Sequence, residues 1–117
     1  MKKLLRLEHQ DGSPVCERCL LAETPLTRMK GLLGRRDLPK GEGIFIRPGS
    51  SIHMFFMRFP IDAVWVDKEL RVVGVSPEVR PWKIAACKGA KGVFELPAGE
   101  AARRGVEAGD KLALRES

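Results

Sequence analysis

No stretch of this chain keeps a helical period for more than about three turns. Apolar and polar residues alternate in short runs, and each run stops at a glycine or a proline, of which the 117 residues contain 12 and 8. Such punctuation restricts the chain to short strands joined by tight turns, the pattern of a mainly β domain. The spacing predicts strands over residues 4–7, 15–22, 43–46, 53–57, 63–66, 70–75, 92–96 and 111–114. With 44% hydrophobic residues the chain can bury one core, so residues 1–117 are expected to form a single compact domain, a β-sandwich or barrel-like sheet.

The clearest hairpin signal is AVWVDKELRVVGV, residues 63–75, where alternation reverses around Lys68-Glu69. Two short helices are expected among the strands. In residues 24–35, Thr24 suits the cap, Pro25 the first turn and Gly34 the left-handed stop. A second, in PAGEAARRG, should end at Gly105. Residues 78–91 have no clear period and read as a crossing loop with one short extended piece.

Several function classes fall away on length and charge. No apolar run approaches the roughly 20 residues that span a bilayer, so no membrane role is expected. The opening MKKLLRLEHQDGS breaks its apolar part at Arg6, short of the roughly 7–15 residues of an export signal, so the expected location is cytoplasmic. Net charge is +6 and the pI about 9.6, with a basic segment over residues 28–40, where Arg28, Lys30, Arg35, Arg36 and Lys40 face only Asp37. Without helix-turn-helix or zinc-finger spacing or an aromatic RNA-binding signature, this segment reads as a solvated face or an assembly surface, and nucleic acid is not the expected partner.

The stretch SIHMFFMRFPID, residues 51–62, holds three of five Phe and two of four Met around His53, Arg58 and Asp62. As a strand it would send His53, Phe55 and Met57 to one face and Met54, Phe56 and Arg58 to the other, apolar on both sides like a covered interior strand. His53 and Met57 would stand roughly 13 Å apart, too far to share one soft metal ion. Cys16 and Cys19 form a C-x-x-C, but no second pair completes a zinc site, and on a regular strand their thiols would face opposite ways. No metal and no cofactor are expected. Glu95 and Asp62 lie within apolar runs, where a carboxylate needs a partner, and Arg28, Arg35 and Arg58 are the cations that could brace them.

Taken together, Arg28-x-x-Gly31-Leu32-Leu33-Gly34-Arg35, Gly43-Ile44-Phe45, the block from His53 to Asp62, Leu70 to Val75, Glu95-Leu96-Pro97-Ala98-Gly99 and Gly109-Asp110 resemble the domain of unknown function 192 (DUF192) family over about residues 15–115. Many relatives read Phe-Trp-Met-Lys-Asn-Thr where this chain reads Phe55-Phe56-Met57-Arg58-Phe59-Pro60. The resemblance implies a mainly β fold and no activity. By position it points to Arg28, Arg35, Met57, Asp62 and Glu95 as polar and soft landmarks.

The sequence therefore predicts a non-catalytic module that binds a small polar ligand, a peptide or a protein. Arg28, Arg35 and Arg58 with Asp62 and Glu95 would line its pocket, and His53 and Met57 would form the wall. The enzyme alternative makes His53 a general base oriented by Asp62 or Glu95. The third alternative is a basic-surface assembly partner.

Overall fold

The computed structural model describes residues 4–24 and 32–116. The chain runs β1 (Leu4–His9), β2 (Pro14–Ala22), β3 (Glu42–Ile46), β4 (Ser51–His53), β5 (Ile61–Val66), β6 (Val72–Val79), β7 (Ile84–Ala86), β8 (Gly92–Pro97), α1 (Glu100–Arg103) and β9 (Leu112–Glu116). Seven strands form one mixed sheet in the order β6-β5-β8-β3-β2-β1-β9, and β4 pairs with β7 in a small second sheet. Among the described strands only β2 and β3 pair in parallel, which requires the long connection over residues 23–41. The fold is mainly β, as the short alternating runs predict.

The large sheet curls until its two end strands meet at their starts. Arg71 bridges Lys111, Val72 donates to the Asp110 carbonyl at 2.8 Å, and Leu112 donates to the Leu70 carbonyl at 3.0 Å. Leu7, Phe45, Val64, Val66, Phe94, Leu96 and Leu112 pack together as one buried cluster inside this curl. The opposite face carries Ile44, Ala63, Trp65 and Val93, covered by Leu32, Leu38, Met54 and Met57. Both faces of the central strands are thus dry, which is why every residue of β5 and β8 is buried.

Three expectations need correction. The strand expected over residues 53–57 ends at His53, and a turn follows in which Met57 donates to the Met54 carbonyl at 3.2 Å. A turn does not alternate, so Met54 and Met57 are both buried while Phe55 and Phe56 are exposed, and Phe56 takes a left-handed φ of 65°. The second hairpin strand begins at Val72, because Asp67 Oδ1 accepts the Glu69 and Arg71 N–H groups, both at 2.9 Å, and widens the turn, with Leu70 at φ 66°.

The third concerns the cysteines. Leu5 pairs with Cys19 and Leu7 with Cys16, two residues against three, so β2 carries an extra residue between them. Leu5 and Leu7 share a face, and the bulge brings Cys16 and Cys19 onto that same face, both buried in the inner cluster. The thiols interact: a hydrogen bond with Cys19 lowers the Cys16 pKa and raises that of Cys19 well above the ordinary range.

The expected helix over residues 24–35 falls largely outside the described residues. The helix expected in PAGEAARRG is present as α1, and Gly105, at φ 67°, follows it.

Candidate binding site

Asp62 follows Ile61 in a central strand, so its carboxylate is buried, and its partners are backbone groups, not arginines. A bulge in β6 aims the Glu78 N–H at Oδ1, 2.9 Å away, while Oδ2 accepts Gly99 N–H at 3.1 Å and Ala101 N–H at 2.9 Å. Asp62 therefore ties β5 to β6 and caps α1, where the free N–H groups of a helix start favour a negative charge.

Glu95 pairs across the sheet with Ile44 and Ala63 and is 6% exposed. Burial alone pushes its pKa up from 4.5 to about 7. Arg35 pairs with Glu42 at 2.9 Å, Arg58 is exposed, and Arg28 lies outside the described residues. His53 is exposed, its Nδ1 accepts the Phe55 N–H at 3.4 Å, and its ring stacks on Phe55 at 4.8 Å. The described contacts join neither His53 to a carboxylate nor Arg35 or Arg58 to Asp62 or Glu95. The groups that the sequence suggested for one pocket instead serve a turn, a helix cap, a surface ion pair and a buried acid.

A cleft of about 350 Å³ lies at one end of the central strands, lined by Glu23, Phe45, Arg47, Lys68, Lys91 and Gly92 together with Pro48, Asp67 and Leu70. Its floor is Phe45, stacked on Phe94 with ring centroids 4.0 Å apart and planes 10° off parallel. Gly92 leaves that floor open, since a Cβ there would come within 2.8 Å of Phe45 Cε1. Arg47 stands over the Phe45 ring at 5.1 Å and donates from Nε to Glu23 Oε2 at 2.6 Å. Lys91 is fixed through its backbone, donating to the Val66 carbonyl at 2.8 Å and accepting from Gly49 N–H at 3.1 Å.

The charges in this cleft are unevenly committed. Glu23 is neutralised by Arg47, and one Asp67 oxygen is taken by turn amides. The ammonium groups of Lys68 and Lys91 form no ion pair with a described residue. An aromatic floor with free cations at its rim can hold a small anion with an apolar part.

Among the described residues, none of those expected to bind ligand lines this cleft. A signal was present in the sequence nonetheless: Arg47-Pro48-Gly49 follows the third predicted strand, and Lys91-Gly92 opens the seventh. Cations at the ends of neighbouring buried strands mark a rim once the pairing of β3 with β8 is known.

A second ionic cluster sits at the far end of the chain. Arg104 joins Glu17 at 2.8 Å and Glu100 at 3.2 Å, and Arg103 joins Glu100 at 2.5 Å. These arginines hold the Glu100 carboxyl below its usual range, Arg103 by the stronger hydrogen bond. Every charge here has a partner, so the cluster braces α1 against β2.

Comparison with known proteins agrees with this architecture. The sequence pattern of the DUF192 family, described as Uncharacterized ACR, matches residues 7–114. A UPF0127 protein of Thermococcus sibiricus is 34% identical over 101 residues, covering 81% of this chain and 64% of the relative. One from Thermococcus gammatolerans is 37% identical over 98 residues, covering 79% and 63%. The chain thus spans less than two thirds of the length of these relatives. Among solved structures, a Sinorhizobium meliloti protein provisionally described as a transcription regulator superposes with a TM-score of 0.83 at 24% identity, covering 97% of this chain and 94% of that one. A Novosphingobium aromaticivorans protein of unknown function gives 0.78 at 25% identity, covering 96% and 84%.

Proposed function

This chain belongs to the DUF192 family, and within a family whose description assigns no activity we propose that it is a non-catalytic binding module, holding a small anionic ligand or a peptide carboxylate in the cleft over Phe45. The observation that carries this reading is the pairing of a stacked aromatic floor with two uncommitted ammonium groups, Lys68 and Lys91. A few placed charges above an apolar floor suit a ligand with one charged end. The enzyme reading has less support, because the Nδ1 of His53 is turned to the Phe55 N–H and the Asp62 oxygens are occupied by backbone donors.

One observation favours a second reading. Glu95 is a buried acid without a hydrogen bond or ion pair to a described residue, and it shares the outer face of the sheet with Ala63 and Ile44, beside the cluster that includes Met57. In that reading the ligand meets the expected set, Arg35, Met57, Arg58 and Glu95, from that face.

Titration calorimetry with citrate and with a short peptide bearing a free C-terminal carboxylate separates the two. The cleft reading expects saturable binding that Lys91→Ala and Lys68→Ala each weaken and Arg35→Ala leaves intact. Bound ligand at about 100 times its dissociation constant should add about 2.7 kcal/mol to native-state stability. Binding lost in Arg35→Ala and kept in Lys91→Ala would overturn the cleft reading.

A further inference from the structure

The small sheet of β4 and β7 holds two loops side by side, through hydrogen bonds from Trp82 N–H to the Met54 carbonyl and from Met54 N–H to the Lys83 carbonyl, each 2.7 Å. Buried Met54 anchors the pair, and four large apolar side chains stand outward: Phe55 at 37% exposure, Phe56 at 72%, Trp82 at 59% and Ile84 at 68%. Phe56 and Trp82 both adopt left-handed backbone, φ 65° and 71°, a conformation bulky residues rarely take. Their rings lie 4.8 Å apart, and Phe55 lies 6.0 Å from Trp82. A protruding aromatic cluster held on strained backbone is uncommon on a soluble surface unless something covers it.

Charge says what would cover it. Residues 47–60 and 80–91, which build this small sheet, contain six Lys and Arg and no Asp or Glu. The remaining 15 Lys and Arg are matched by 15 Asp and Glu, so the whole net charge of +6 resides in these two segments. Arg58, Arg80, Lys83 and Lys88 are exposed and form no ion pair with a described residue.

We propose that this face docks on an anionic lipid surface, with Phe56, Trp82 and Ile84 entering the headgroup boundary and the surrounding cations meeting the lipid phosphates. Two observations favour lipid over single-stranded nucleic acid, which also combines aromatics with cations. The Trp82 ring already lies against both Phe rings, leaving it less open for a stacked base. Ile84, among the most exposed apolar side chains of the set, has no stacking face. Interfacial docking needs an apolar wedge and nearby positive charge close to the surface. It needs no spanning segment, and none of the described helices is long and apolar enough to cross a membrane.

The test is co-sedimentation of the full chain with phosphatidylglycerol-containing vesicles and with neutral phosphatidylcholine vesicles, read together with tryptophan emission. Trp65 is buried and reports little, so a blue shift on binding reports Trp82. Expected are partition to the anionic vesicles only, a blue-shifted emission, loss in high salt, and about tenfold weaker partition for Phe56→Ser. An unchanged melting temperature for that variant shows it is folded. Partition unaffected by Phe56→Ser, partition without an emission shift, no partition at all, or preference for an oligonucleotide competitor would each overturn the proposal.

Discussion

The closed sheet and the small β4–β7 sheet use the same residue types to opposite ends. In the large sheet Phe45 and Phe94 stack at 4.0 Å and are buried, Phe45 reaching the outside only where it lines the cleft, while in the small one Phe55, Phe56 and Trp82 cluster and face water. The difference lies in the backbone that carries them. Phe45 and Phe94 sit opposite one another in paired strands whose alternation puts both inside. Phe55 and Phe56 sit in a turn, where the two Met take the buried positions and the Phe side chains are expelled. Hydrophobicity decides how much apolar surface a segment has, and chain geometry decides which way it faces.

That contrast can be broken at its strongest point by Asp62→Ala, which strips three backbone N–H groups of their acceptor within the large sheet and at the start of α1. Urea unfolding should show a loss of about 4 kcal/mol, from several charge-assisted hydrogen bonds and the donors left buried. A loss below about 1 kcal/mol would mean that water replaces the carboxylate and that the sheet is not held there.

Glu95→Gln sharpens the same side of the comparison. Glu95 binds its proton more tightly in the folded protein, with a pKa of about 7 against an ordinary 4.5, so its contribution is fully present below pH 4.5 and is lost as pH rises through about 7. The loss amounts to about 3 kcal/mol by linkage. The variant should therefore gain on the wild type as pH is raised from 4.5 to 8, and parallel stability curves over that range would refute the buried-acid assignment.

The smallest effect is expected on the small sheet. Phe56→Ser removes an exposed side chain and should change unfolding free energy by no more than about 0.5 kcal/mol. A larger loss would show that the exposed cluster supports the fold after all.

Much of the architecture was legible in the sequence, because alternation between Gly and Pro stops reports strand positions directly. Strands at 43–46, 63–66 and 92–96 were found nearly to the residue, since buried strands of β-branched and aromatic residues admit few other readings. The stretch 53–57 misled for the opposite reason: nothing in HMFFM distinguishes a covered strand from a turn, and only pairing of Met54 with the loop at 82–83 reveals it. Asp62 and Glu95 were rightly singled out as embedded carboxylates, but burial does not name the partner, and Asp62 chose amides. The cleft and the basic face escaped because each is assembled from segments far apart in sequence. Residues 41–80 balance to zero charge, and this masks the cations that β4 and β7 bring together.

The extra residue that aligns Cys16 with Cys19 also sets how β2 can change in length. Between Leu5 and Leu7 the facing strand has one residue too many, so removing Glu17 or Arg18 would restore simple alternation there and leave Cys16 and Cys19 on the same inner face. Removing both would make the two cysteines neighbours and send one of them to the opposite face. Length variation at this bulge is therefore filtered by oddness: loss of one residue preserves the inside and outside of the sheet, and loss of two exchanges them on one side of the gap.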